Sequence, residues 1–169
     1  MTAFKNHLWI GAVSIGLTLL ALGIFFVVMG FEAKGTIRAA LADEYVTTSK
    51  DTVEFGVPGG ILVQDAKSAE AQAAVIKKHS IERYGRYTEM ERDDPNRDIY
   101  LKGLTLRNAL NLSVLGFGVA NLAIGTGTAI ILVGVATLGL GAPALYSIAE
   151  TEGKRASLKR APPAIVPAT

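Results

Sequence analysis

Between Gly85 and Asp98 the chain reads GRYTEMERDDPNRD, with five carboxylates and three arginines in fourteen residues. Carboxylates at this density could hold a divalent cation or share a proton between them. Asp94, Asn96 and Asp98 form D-x-N-x-D, the first half of an EF-hand loop. The glycine that should follow is Ile99, and the bidentate glutamate at position twelve is Thr105, so calcium chemistry lacks two of its required elements. His79 and Glu82, spaced H-x-x-E, could form a ligand pair on one helix face. These five residues, His79, Glu82, Asp94, Asn96 and Asp98, come nearest to a metal site. No catalytic residue, cofactor or metal is assigned. Ser14, Ser113, Thr126 and Thr128 have no neighbouring base, which leaves nucleophilic catalysis without support. Gly116-Phe117-Gly118 lacks the strand–turn–helix setting of a nucleotide loop.

The acidic stretch also reads as helix punctuation. Thr88 to Glu91 has the T-x-x-E pattern of a capping box. Asp94-Pro95 reads as an N-cap followed by proline at the first helical position. Acids in that first turn suit the helix dipole. A helix is therefore expected to start here and run through Tyr100 and Leu104.

Two long apolar blocks flank this polar region. Leu8 to Phe31 is 24 residues without a charge, and Asn108 to Ala149 is 42. A membrane helix needs roughly 20 such residues. The mean hydropathy of +0.34 agrees. The first block is too long for the h-region of a signal peptide, about 7–15 residues, and no Ala-x-Ala site follows it. With no cysteine, disulfides and thiolate sites are excluded. The net charge of +2 comes without a basic stripe, so nucleic acid is not an expected partner.

The expected fold is a mainly α membrane protein with two or three transmembrane helices and a small α module carrying a β-hairpin. Its expected parts are an N-terminal flank (1–7), transmembrane helix 1 (8–31), a polar extramembrane module (32–103), helix 2 (104–124), helix 3 or a continuation of helix 2 (128–149), and a basic, proline-rich disordered tail (150–169). The stretch from Glu32 to Arg107 is nearly balanced in charge, with 12 Lys and Arg against 13 Asp and Glu, and has few large apolar residues for a core. Within it, a hairpin is expected over Thr52–Gln64 around GVPGG. An alanine-rich helix should follow, capped by Ser68 and ended by Gly85.

One helix of 42 residues would be roughly 63 Å long, about twice the bilayer core. A turn at Gly125-Thr126-Gly127 would fold it into a hairpin, giving three crossings, which is the expectation. The basic residues oppose this. Lys5 before the first helix and Lys154, Arg155, Lys159 and Arg160 after the last apolar block all favour the cytoplasm, which requires an even number of crossings. Two crossings would leave Leu104 to Leu115 outside the bilayer against a partner. The module is expected outside the cytoplasm. Gly116, Ala120, Asn121 and Gly125 have the spacing of close helix packing, with Asn121 a polar amide that wants a partner.

The segments LADE and VT (41–47), AQAAVIKKHSIE (71–82), GRYTEMERDDPNRD (85–98), and LR followed by SVLGFGVANLAIGTG (106–127) occur in an order that resembles a family. It is a group of small bacterial integral membrane proteins often described as aromatic ring-opening dioxygenases. The resemblance covers about Leu41 to Gly134 and implies a small protein of the bacterial plasma membrane. The dioxygenase description implies iron held by two histidines and a carboxylate, and the chain's two histidines are His7 and His79. Taken together, the residues lead to an accessory, assembly or structural subunit of a membrane complex, or a homo-oligomer, whose partners are lipid and other membrane subunits. A metal-dependent enzyme and a small transporter are the alternatives.

Overall fold

A computed structural model of the chain describes residues 7–160. Four α-helices carry it: α1 (Leu8–Asp43), α2 (Ala66–Tyr84), α3 (Arg97–Ala136) and α4 (Ala142–Arg160). Short 3₁₀ turns lie at Lys50–Phe55 and Tyr87–Glu89. A π-helical turn, Thr137–Gly141, joins α3 to α4. Two stretches, Leu8–Asp43 and Arg97–Arg155, are long and apolar enough to cross a membrane. The described residues form two compact units, one from 7–26 with 126–160, the other Val27–Gly125.

Several expectations are corrected here. Gly125, Thr126 and Gly127 lie inside α3, so the helical turn expected there does not form, and the block from 128 onward continues the same helix. A mid-helix glycine costs only about 1 kcal/mol relative to alanine. Opening a turn would leave several carbonyl and amide groups without partners, at a few kcal/mol each in apolar surroundings. The chain after Glu150 is also helical as far as Arg160. The rest of the proline-rich tail and the first six residues lie outside the described residues.

The β-hairpin is a further correction. Among the described residues there is only an isolated antiparallel bridge, Thr47 to Leu62. The β-branched residues of this segment suggested strands, but their hydroxyls bond locally, which competes with a ladder. Thr52 Oγ1 donates to Ser49 O at 2.7 Å and closes the 3₁₀ turn, and Thr48 Oγ1 donates to Pro58 O at 2.8 Å. Gly56 ends the turn at φ 70°, a left-handed conformation that glycine adopts without strain. The pairing partners are displaced accordingly: Val63 N donates to Val46 O, and Thr48 N to Ile61 O.

Within the Val27–Gly125 unit a small core forms from Leu41, Val63, Ala69, Ala73, Leu110 and Phe117. The alanines of α2 let its backbone come close, and Leu110 is 1 % exposed. The N-cap of α2 is Asp65 rather than Ser68. Ser68 N donates to Asp65 Oδ1 at 2.7 Å, and Asp65 N donates to Ser68 Oγ at 3.3 Å. Ser68 thus sits at the third position of a capping box. Gly85 ends α2 with its amide on Ile81 O.

Candidate functional site

The acidic stretch is built around Arg97. Its Nη1 donates to Met90 O and Glu91 O, both at 3.0 Å, and its guanidinium lies 4.3 Å from the centre of the Tyr87 ring. Tyr87 in turn packs on Tyr100, with ring centroids 5.7 Å apart. Glu89 Oε2 accepts from Arg86 N at 3.0 Å and Glu89 N donates to Arg86 O at 2.9 Å, so the turn is closed by Glu89 and not by the expected pair of Thr88 and Glu91. Asp94 Oδ1 accepts from Asn96 N at 2.7 Å, and α3 starts at Arg97. Asp94 is therefore not the N-cap, nor Pro95 the first helical position; Asp94 closes a turn just ahead of the helix. Asp98 lies exposed on the first turn of α3.

His79 and Glu82 are not brought together with these acids. His79 Nε2 lies 3.1 Å from Asp51 Oδ2, and the neighbouring Lys78 Nζ lies 2.7 Å from Glu54 Oε2. These two pairs tie α2 to the 3₁₀ turn Lys50–Phe55. The hydrogen bond from Lys78 to Glu54, with their attraction, raises the lysine pKa. Glu82 is exposed. No group of three or more His, Asp or Glu able to hold a metal occurs among the described residues.

The packing residues divide into two pairs. A Cβ built on Gly116 would lie 2.7 Å from Ile37 Cδ1, and Ala120 is 2 % exposed; both sit between α1 and α3. Asn121 and Gly125 are exposed, and nothing lies within 4 Å of a Cβ on Gly125. Ala120 O faces Gly30. Asn121 is therefore level with the end of the charge-free run of α1, not mid-way along it.

Sequence reasoning missed the main helix contacts. Gly16, Gly23 and Gly30 of α1 recur every seven residues. In the unit holding both chain ends, Gly16 receives Leu138, Gly23 receives Ile131 with Gly127 O, and Gly134 faces Leu20. Trp9 meets Tyr146 edge-on at 5.7 Å. In the Val27–Gly125 unit, Gly30 receives Ile124, and Ile37 instead covers Gly116. Leu138, Ile131 and Ile124 are also seven apart. Such spacing keeps one side of each helix in contact along an antiparallel pair. The small residues Ala120, Gly127 and Gly134 follow the same spacing, but the next buried one is Ala142, eight further on. The π turn takes up that extra residue, with Ala142 N bonding Thr137 O.

A groove of about 550 Å³ opens in the Val27–Gly125 unit, between the last turns of α1 and the first half of α3. Ile37, Leu41 and Val46 line one side, and Leu106, Leu110 and Leu112 the other. Its polar side chains are Thr36, Glu44 and Ser113. No family model, curated protein or solved structure matches the chain.

Proposed function

We propose that this is a small integral membrane protein that works through contacts, as an accessory, assembly or structural subunit of a membrane complex. The observation that carries the reading is the outward apolar surface of both long helices. Ile15, Phe25 and Phe31 of α1 and Leu115, Leu122 and Leu132 of α3 are each 58–69 % exposed. Apolar surface on this scale needs lipid or protein against it. The glycines on the facing side let two helices pair closely, as small residues do where lipid removes any other drive to associate.

Two crossings fit the continuous helix. An even number puts Lys5 and the Lys154–Arg160 cluster on one side, as the distribution of basic residues asks. The polar module then lies outside the cytoplasm of a bacterial cell, and the resemblance to small bacterial membrane proteins fits the same assignment. In this arrangement Leu110 and Phe117 of α3 pack on Leu41, Val63, Ala69 and Ala73, while Leu106, Leu112 and Leu115 on the neighbouring turns present apolar surface to a partner.

The test is extraction and sizing of the full chain. It should stay with the membrane through alkaline carbonate, and in mild detergent it should migrate with other chains or with itself. Release by carbonate overturns the membrane assignment. A membrane-bound but stable monomer overturns the subunit role alone.

A further inference from the structure

The groove between α1 and α3 has a chemistry of its own. Its walls are aliphatic, and its volume falls within the roughly 300–1,000 Å³ usual for small-molecule sites. The polar groups on it all present acceptors. Thr36 Oγ1 donates its proton to Glu32 O at 3.1 Å, and Ser113 Oγ donates to Ala109 O at 3.0 Å. Each hydroxyl then offers only lone pairs to the groove. Glu44 adds a carboxylate with no salt bridge among the described residues, and no lysine, arginine or histidine lines the space. Aliphatic walls with an anionic, acceptor-only rim suit a molecule with the opposite pattern.

We propose that the groove binds a single-chain amphiphile with an ammonium head, the chain lying along Leu41, Leu106 and Leu110 and the head held by Glu44. The Glu44 carboxylate matches an ammonium's donors, while Thr36, eight residues earlier in the chain and so about 12 Å away along α1, flanks the chain. A fatty acid carboxylate would meet Glu44 with lone pair against lone pair and charge against like charge. The inference goes beyond the subunit role, since it rests on the Val27–Gly125 unit alone.

The test uses two photoreactive probes of equal chain length, a dodecylammonium and a dodecanoate, on the full chain in phosphatidylcholine nanodiscs. The labelled residues are mapped by mass spectrometry. The ammonium probe should label residues 36–46 and 106–116. Unlabelled dodecylamine should displace it at a concentration roughly tenfold or more below that needed with dodecanoate, as for a hydrogen bond to a charged group. Glu44→Gln should remove that preference, and Ala109→Phe, which fills the groove, should remove the labelling with helix content unchanged. Equal competition by the two amphiphiles overturns the proposal. So does a preference that survives Glu44→Gln, or labelling spread evenly along the apolar helices. Incorporation into the discs separately reads the membrane assignment, and a chain that stays outside them is labelled in buffer with the same probes.

Discussion

Arg97 shows how one residue turns a dense cluster of acids into a structural element. Its guanidinium bridges two carbonyls and lies over an aromatic ring, which only a planar, multi-donor cation does well. Arg97→Ala should cost about 1–3 kcal/mol and speed amide exchange at Asp94 and Asn96. Arg97→Lys should recover little of that loss. An unchanged exchange profile would show that the turn holds without the arginine. Asp65 makes a second residue-scale case. Its carboxylate accepts from the Ser68 amide, and this bond, the largest influence on it, holds its pKa below the ordinary aspartate value of 3.8. A carboxylate with a depressed folded pKa contributes stability above its unfolded pKa and loses it as pH falls toward the folded value. Asp65→Ala should therefore destabilise by about 0.5–2 kcal/mol at neutral pH, and the gap to wild type should close as pH drops below 3.8. Chemical denaturation at a series of pH values measures this. A gap that persists at pH 2 would mean that the side chain acts by packing.

At the scale of the helix, the two kinds of glycine in these apolar runs should behave differently. A side chain on Gly23 meets Gly127 O at 2.7 Å and the Ile131 backbone amide at 2.9 Å, neither of which can swing away. Gly23→Leu should force α1 and α3 apart, with a loss of about 1–3 kcal/mol or more from overpacking. Gly118→Ala and Gly125→Ala point into open space and should be neutral or slightly stabilising. Thermal unfolding of the three purified variants separates these cases. Equal effects at Gly23 and Gly125 would deny the packing of α1 on α3.

The sequence carried part of this information openly. The charge-free runs mark both long helices, and Gly85 marks the end of α2. The heptad of Gly16, Gly23 and Gly30 was harder to see, because every neighbour is apolar and no polar face contrasts with the seam. Asn121 attracted notice as a polar amide within an apolar run, yet the contacts run past it through Ala120 and Ile124. The hairpin misled because strand propensity was read from Thr and Val residues whose hydroxyls and turns bond locally. For the candidate site, the sequence listed the acids and histidines but not their partners. Pairing of His79 with Asp51, 28 positions apart in the chain, depends on contact between α2 and a 3₁₀ turn. The groove depends on helices far apart in sequence, and no local pattern marks it.

For the whole chain, the question is which side of a bilayer each polar part occupies. Asn108 to Ala149 is too long for one span, and a hairpin was the obvious remedy. The fold offers another, because Leu110 and Phe117 seat one side of the early α3 turns in the module, while Leu106, Leu112 and Leu115 stay exposed. On the two-crossing proposal the later turns make the single span. With two crossings, the module and the segment after Ala149 lie on opposite sides. The absence of native cysteine makes this directly measurable with single cysteines and an impermeant thiol reagent. Ser68 is a poor reporter, being buried in the α2 cap, whereas Glu70 and Ser157 are exposed. Glu70→Cys should label in intact cells, and Ser157→Cys only after permeabilisation. Labelling of both from outside would require a third crossing and so a break in α3, with Gly125 to Gly127 the first place to look for it. Labelling of Ser157→Cys alone would keep two crossings but turn the module toward the cytoplasm, against the basic residues at both ends.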